Sequence, residues 1–444
     1  MKDLTKGKPS ALILSFALPI FLGNLLQLTY SLVDTRIVGS FLGEDALAAV
    51  GATSTLSGLI IGFLLGLSNG FAIITAQKFG AKNIADMKKS FAMSLVIGTG
   101  ISILFTIAGL LFLKPILHFL NVPKHLVPVA KGYIAIIIAG LLATFLYDAC
   151  AATLRAIGDA VTPLIILAIS VALNIVGDLF FVVVLKTGVK GAAIATVLAQ
   201  IIAFVICWIY MIRKYEILRL QKEDFKDPSP IMVKEMISAG MSMGFMSSLV
   251  NIGTLTLQTA INKLGKDIII AHTAARKISE IFMIMFSVFG QTMATYCGQN
   301  YGAGKYDRIR QGLKAVLGIG CVFSVIIFIL SHTISPYLIS FIASSKNKEV
   351  IYWGTQYLVY DMSFQVVCVF IVILRNSLQG IGDQRTPVFS SFIELAGKVV
   401  FTLVFVRRFG YWAVIWTEPV IWICMVIPLI VTAAGNPVLF GKQK

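Results

Sequence analysis

The sequence predicts an all-α integral membrane protein, with twelve transmembrane helices in two pseudo-symmetric six-helix bundles. Three observations carry that prediction. Of 444 residues, 57% are apolar and only 13% are charged, with mean hydropathy +0.88; a soluble domain carries about 25% charge. Charges and turn residues cut the chain into twelve apolar runs. The motifs of the first half also recur in the second. Twelve spans of roughly 25 residues consume about 300 residues. The longest polar stretch, Arg213 to Pro230, has 18 residues. No separate catalytic, nucleotide-binding or DNA-binding domain fits into what is left.

The spans follow in order. The first, 11–40, succeeds a polar start and ends before Glu44 and Asp45. The second, 46–76, stops at Lys78, and 90–117 begins after Lys88 and Lys89. Span 128–154 ends at Arg155. Span 162–185 opens on Thr162-Pro163 and stops at Lys186, and 189–212 stops at Arg213. After the polar linker come 232–262, 268–298, 312–341 and 350–378. Span 387–406 opens on Pro387 and stops at Arg407, and 411–435 closes the series.

The net charge of +16, from 37 Lys and Arg against 21 Asp and Glu, is read as topology. Sorted by face, 21 cations fall on one side of the twelve spans, 11 on the other and five within them. The richer face is cytoplasmic, which puts both termini inside and the chain in the cytoplasmic membrane. No basic stripe with interleaved aromatics argues for nucleic acid. The six cysteines show no CxxC spacing and the four histidines no metal-ligand pattern, so they read as ordinary core residues.

Leu154-Arg-Ala-Ile-Gly-Asp-Ala-Val-Thr-Pro163 returns as Leu378-Gln-Gly-Ile-Gly-Asp-Gln-Arg-Thr-Pro387 at an offset of 224. Ala76-Gln-Lys-Phe-Gly-Ala81 returns as Gly298-Gln-Asn-Tyr-Gly-Ala303, and Leu42-Gly-Glu-Asp45 as Leu264-Gly-Lys-Asp267, both at 222. The chain is therefore a duplication of six spans, with an N-terminal lobe over 1–220 and a C-terminal lobe over 221–444. Six is even, so the copies enter the membrane from the same side, as parallel repeats of the kind secondary transporters use. In the IGD..TP turns, Gly suits a helix end, Thr is expected to cap the next helix, and Pro fits its first turn.

Carboxylates within spans are costly and point to function. Counted from the span ends, Asp34, Asp178 and Thr196 lie about 9–12 Å below the outer face, and Asn174 about 18 Å. Four oxygen-bearing side chains from three helices thus fall in one outer layer. The set suits a hard monovalent cation such as Na+, or a carboxylate pair sharing one proton. Asp34 aligns with Thr256, Asp178 with Thr402 and Asn174 with Lys398, so the duplicated scaffold did not require these acids. Arg36 is a poor partner for Asp34, because at i,i+2 the two point to different faces. In the second half, Glu394 and Lys398 have ion-pair spacing. Glu280 sits one turn from Arg276 and is either paired or cavity-facing; Asp361 and Glu418 are open in the same way.

Taken in this order, the motifs resemble the multidrug and toxic compound extrusion (MATE) transporters over essentially the whole chain. They are Val33-Asp-Thr-Arg-Ile-Val-Gly39, Ala48-Ala-Val50, the two pairs of turns, Asn174-Ile-Val-Gly-Asp178 and Gly191-Ala-Ala-Ile-Ala-Thr196. The N-terminal acids are most similar to those of the DinF-like branch. The resemblance implies two lobes facing each other in a V, and export of organic compounds by antiport against Na+ or H+ without a cofactor. It implies a cation site at Asp34, Asn174, Asp178 and Thr196, supported by Gln27 and Tyr30, with Pro19 letting the first helix bend. Leu179 departs from the family, which often has Pro there. Glu280, Glu394 and Lys398 also depart from the branch and leave a second proton or substrate site open.

The function expected is thus a monomeric, non-enzymatic antiporter for small cationic or amphiphilic compounds, in contact with membrane lipids and not nucleic acid. The alternative is a flippase for lipids or lipid-linked saccharides, which would need Arg276, Lys277 and Lys398 in its cavity. An ion channel lacks a filter-like segment here. An intramembrane enzyme lacks an HExxH, a nucleophile elbow or a His-based constellation.

Overall fold

The computed structural model describes residues 2–120 and 122–441. Lys442 and Lys444, counted above on the cation-rich face, lie outside them. The helices are α1 (Pro9–Leu42), α2 (Glu44–Gly80), α3 (Ile84–Leu111), α4 (Leu113–Phe119), α5 (Val127–Ala139), α6 (Leu141–Ala156), α7 (Val161–Asp178) and α8 (Val189–Lys214). The second copy contributes α9 (Pro230–Ile261), α10 (Lys266–Gly302), α11 (Tyr306–Ala343), α12 (Lys348–Ser363), α13 (Gln365–Gly380), α14 (Arg385–Val400), α15 (Val406–Phe409) and α16 (Tyr411–Gly435).

Nine segments among the described residues cross a membrane on length and apolarity, and two bent helix pairs do so together. The twelfth span, α9, has 32 residues, ample length at about 1.5 Å per residue. Its apolarity is diluted by a run of hydroxyl and amide side chains, several of which satisfy themselves on their own helix. Asn251 Nδ2 donates to Ser247 O at 2.9 Å, and Thr256 Oγ1 to Ile252 O at 2.9 Å.

The fourth and tenth spans, expected as single rods, are each broken. α5 and α6 meet at 44° and α12 and α13 at 50°. The breaks fall at Gly140 and Phe364, which are 224 residues apart. At each, bonds tighten to i→i+3: Ala143 N to Gly140 O at 3.0 Å and Val367 N to Phe364 O at 2.9 Å. Gly140 lies inside an unbroken apolar run, whereas Phe364 stands among Asp361, Ser363 and Gln365; no proline marks either break.

By internal contacts the chain forms two compact units. One comprises the residues up to Asp3 with Leu18–Gly244, the other Leu4–Ala17 with the residues from Phe245 on. These units and the sequence boundary at 220 do not coincide, because Leu4–Ala17 counts with the second unit and 221–244 with the first. In the first unit, Leu64, Leu67 and Phe71 of α2 pack with Phe145, Met236 and Ala239. Glycine makes this possible: a Cβ on Gly70 would stand 2.6 Å from the Ala239 carbonyl carbon and the Gly240 Cα. Such bare backbone-to-backbone approaches are a typical helix contact in membranes. In the second unit the N-terminal segment is tied down. Leu4 N donates to Gln299 Oε1 at 3.0 Å, Lys305 Nζ to Thr5 O at 2.8 Å and Arg308 Nη1 to Gly7 O at 2.8 Å.

The IGD..TP turns are alike in the two copies, with Gly158 at φ +85° and Gly382 at φ +99°, a region that favours glycine. The cap differs from the expected threonine: Asp accepts and Thr donates. Asp159 Oδ1 receives Thr162 N at 3.0 Å and Oδ2 receives Thr162 Oγ1 at 2.6 Å. Asp383 binds Thr386 in the same way, at 3.2 and 2.8 Å. An ionised carboxylate holds two donors and complements the helix N-terminus better than a hydroxyl does. Tyr215 OH adds a third bond to Asp159 at 2.6 Å. Burial works to raise the Asp159 carboxyl, but the bonds from Thr162 and Tyr215 overcome it and hold the group below its ordinary range.

Two outcomes follow for thermal unfolding in detergent. Gly70→Ala forces backbones apart and lowers stability by about 1–3 kcal/mol. Asp159→Asn costs about 1–3 kcal/mol at neutral pH. Because the folded-state pKa is depressed, this stabilisation is present above the ordinary carboxylate value of about 3.9 and is lost as pH falls through the lower folded value. The wild-type protein should therefore lose more stability than Asp159→Asn on acidification below about pH 4.

Candidate functional site

In the first copy the polar site grows from three helices of the first unit. α7 ends at Asp178 and continues as a π-helical segment, Leu179–Val184. The chain then turns through Lys186 (φ +53°) and Gly188 (φ +66°) into α8. Gly177 lets α8 approach, since a Cβ there would stand 3.0 Å from Ala195 Cβ. That brings Asn174 and Asp178, both buried, against Thr196. The Asn174 amide is oriented by its neighbours. Its nitrogen donates to Asp178 Oδ2 at 2.9 Å, while its oxygen accepts from Thr196 N at 3.0 Å and lies 3.2 Å from Thr196 Oγ1. Thr196 Oγ1 also reaches its own helix at Ala192 O, at 3.1 Å.

α1 completes the site. The carboxyl of Asp34 lies within hydrogen-bonding reach of the Asp178 carboxyl, and Tyr30 within reach of the Thr196 hydroxyl. Oδ1 of Asp34 and Oδ1 of Asp178 are buried and find no protein donor. Among the described residues no ion pair joins Asp34 to Arg36. Beside the acids is a cavity of about 20 Å³ lined by Gln27, Tyr30, Ser170, Asn174, Thr196 and Gln200. That volume holds one water or one small ion and no organic molecule, since a water needs about 10–15 Å³ on this measure.

The structure thus brings together Asp34, Asn174, Asp178, Thr196 and Tyr30, with the exposed Gln27 on the rim. Pro19 lies two turns before Gln27, outside the cavity lining, and α1 runs through it as one helix. Sequence reasoning passed over Ser170 and Gln200. The two stand one turn from Asn174 and Thr196 on the same helix faces, a spacing that could have exposed them. The buried Gln200 Oε1 also lacks a donor.

The second copy builds a different polar cluster on the matching helices. Lys398 Nζ lies 2.9 Å from Glu394 Oε1, 3.2 Å from Glu418 Oε1 and 3.3 Å from Thr254 Oγ1. Arg276 lies 3.8 Å from Glu418 and 3.6 Å from Glu280, and Arg375 lies 4.0 Å from Glu394. The i,i+4 pair Glu394–Lys398 is present, and Glu280 is both paired and cavity-facing. Asp361 accepts from Ser279 Oγ at 2.7 Å and from Gln365 Nε2 at 3.3 Å. A cavity of about 250 Å³ reaches this cluster along Thr254, Arg276, Lys277, Glu280 and Glu418. The bond of Lys398 to Glu418 was not foreseen, because the two residues stand on different helices.

Asn174→Leu would strand Asp178 Oδ2 without its donor. It should lower thermal stability in detergent by about 1–3 kcal/mol, whereas Gln27→Leu on the exposed rim should change it little.

A duplicated six-span bundle with a pair of buried carboxyls in its first copy is a construction that secondary transporters use. The MatE family model matches residues 19–180 and again 242–404, once per copy, and the chain belongs to that family of multidrug and toxic compound extrusion transporters. It is 31% identical over 360 residues, 80% of this chain and 79% of the relative, to the probable multidrug resistance protein YpnP of Bacillus subtilis. It is 21% identical to the multidrug export protein MepA of Staphylococcus aureus, over 91% of this chain and 89% of that one. Among solved structures, a MATE in the bent conformation superposes with a TM-score of 0.88 at 20% identity, covering 97% of this chain and 96% of that one.

Proposed function

We propose that the protein is an antiporter of the cytoplasmic membrane, with both termini cytoplasmic, acting as a monomer. It exports small organic compounds, cationic or amphiphilic, in exchange for Na+ or H+. Residues 1–220 and 221–444 act as the two lobes of an alternating-access cycle. The observation that carries this reading is the pair Asp34 and Asp178, two carboxyls in mutual reach with orphaned oxygens and, among the described residues, no ion pair to a base. An inward cation gains about 2.3 kcal/mol per charge per 100 mV, and only an unneutralised site can use it.

Asp34, Asn174, Asp178 and Thr196 form the coupling site, whether as Na+ ligands or as a proton carrier. Of the two ions the contacts favour H+. Two carboxyls this close together favour sharing one proton over ionising together. Of the three cations the flippase alternative needs, Arg276 and Lys277 line the second copy's cavity, whereas Lys398 is buried and held by three oxygens and offers nothing to a lipid pyrophosphate.

Asp34→Asn and Asp178→Asn should insert normally yet lose uphill export of a fluorescent cationic dye from cells lacking their own pumps. Export at wild-type level by either variant overturns the assignment. Proteoliposomes given one gradient at a time decide the ion: efflux should follow an imposed pH gradient at fixed Na+, and efflux driven by Na+ alone selects Na+ instead.

A further inference from the structure

We propose that the ammonium of Lys398 is a built-in cation, filling in the second copy the place that the first copy keeps for an exchangeable one. A small monovalent cation site therefore lies latent in the second unit, beneath a lysine side chain. The comparison with the first copy rests on the reading of Asp34 and Asp178 as the coupling site; the cluster itself and its test do not.

The correspondence is residue by residue. At an offset of 224 Lys398 stands where the first copy has Asn174, and Glu394 where it has Ser170. At an offset of 222 Glu418 stands where it has Thr196. The helices correspond as well, because α7 and α14 are each prolonged by a π-helical segment, and a positive-φ glycine, Gly188 or Gly410, opens α8 and α16. Around Lys398 Nζ three oxygens from three helices, Glu394 Oε1, Glu418 Oε1 and Thr254 Oγ1, make the coordination shell of a monovalent cation. The ammonium stands where that ion would be.

The fold makes room for the stem of this lysine. Gly253 on α9 leaves its backbone bare against the side chain, and a Cβ there would stand 2.9 Å from Lys398 Cδ. With Lys398 only 2% exposed, its charge cannot leave with solvent, and its tether prevents exchange. The second unit thus holds a permanently loaded site and contributes no ion to the transport cycle. Access from outside exists nonetheless, because the 250 Å³ cavity is lined by Thr254 and Glu418 themselves.

Chemical rescue tests this. Purified full-length Lys398→Ala loses thermal stability because Glu394 and Glu418 lose the ammonium between them and keep only the more distant Arg375 and Arg276 at their edges. Methylammonium, the missing end of the side chain, should restore at least half of the lost Tm in the tens-of-millimolar range, while tetramethylammonium chloride at equal ionic strength should not. Wild type and the double variant Glu394→Gln/Lys398→Ala should not respond to methylammonium. The same pattern should hold in an Asp34→Asn background, which separates this result from the coupling-site assignment. Equal responses to the two salts, or no response from folded Lys398→Ala, overturn the proposal. Should that variant fail to accumulate, growth with methylammonium should restore it, and failure there too counts against the proposal.

Discussion

The structure turns on the rule that a charge taken into the membrane must meet its opposite or be left to attract one. The protein applies both branches of that rule, one in each copy of the same three-helix corner. Around Lys398 the bases and acids are interleaved: Glu394 and Glu418 hold the ammonium, and Arg276 and Arg375 flank the acids. Around Asp178 there are acids, an amide and hydroxyls, and no base. Burial is similar at both corners, so the difference lies in the side chains and not in the scaffold. The second set of charges is closed on itself, whereas the first leaves carboxyl oxygens without a donor.

Local geometry serves that contrast. The glycines that matter sit where helices must come unusually close: Gly70 against the backbone near Ala239, Gly177 against Ala195, Gly253 against the stem of Lys398. The aspartates of the two IGD..TP turns, by contrast, do purely structural work outside the spans. Each accepts the N–H and hydroxyl of a threonine three residues on. Acids in this chain thus divide by their partners. Those that meet donors hold turns or helices together, and Asp34 and Asp178 keep an oxygen each without a donor.

Much of this was legible before any coordinate. The long apolar runs located the spans, and the offsets of 222 and 224 exposed the duplication. Depth counting from span ends put Asp34, Asn174, Asp178 and Thr196 in one layer, because rise per residue is nearly constant in a helix. What escaped has definite causes. The break at Gly140 leaves the run of apolar side chains intact, and the polar residues around Phe364 are of kinds that unbroken spans also carry, so composition does not register either. The π-helical segments change hydrogen-bond register without changing residue type. The reversed roles of Asp and Thr in the turns depend on which side chain the backbone aims at the N–H groups. The bond of Lys398 to Glu418 joins helices 20 residues apart in sequence, where i,i+4 reasoning does not reach.

The π-helical segment after Asp178 has a kinematic consequence. A π turn accommodates one extra residue within an otherwise regular helix. Sliding that extra residue along the chain exchanges one set of backbone bonds for another of equal number. The part of the rod it passes is meanwhile rotated by about 100°, the angle of one α-helical residue. Such a dislocation moves at small energetic cost, much as a ruck travels across a carpet. Asp178 stands at its leading edge, the last residue before the register changes.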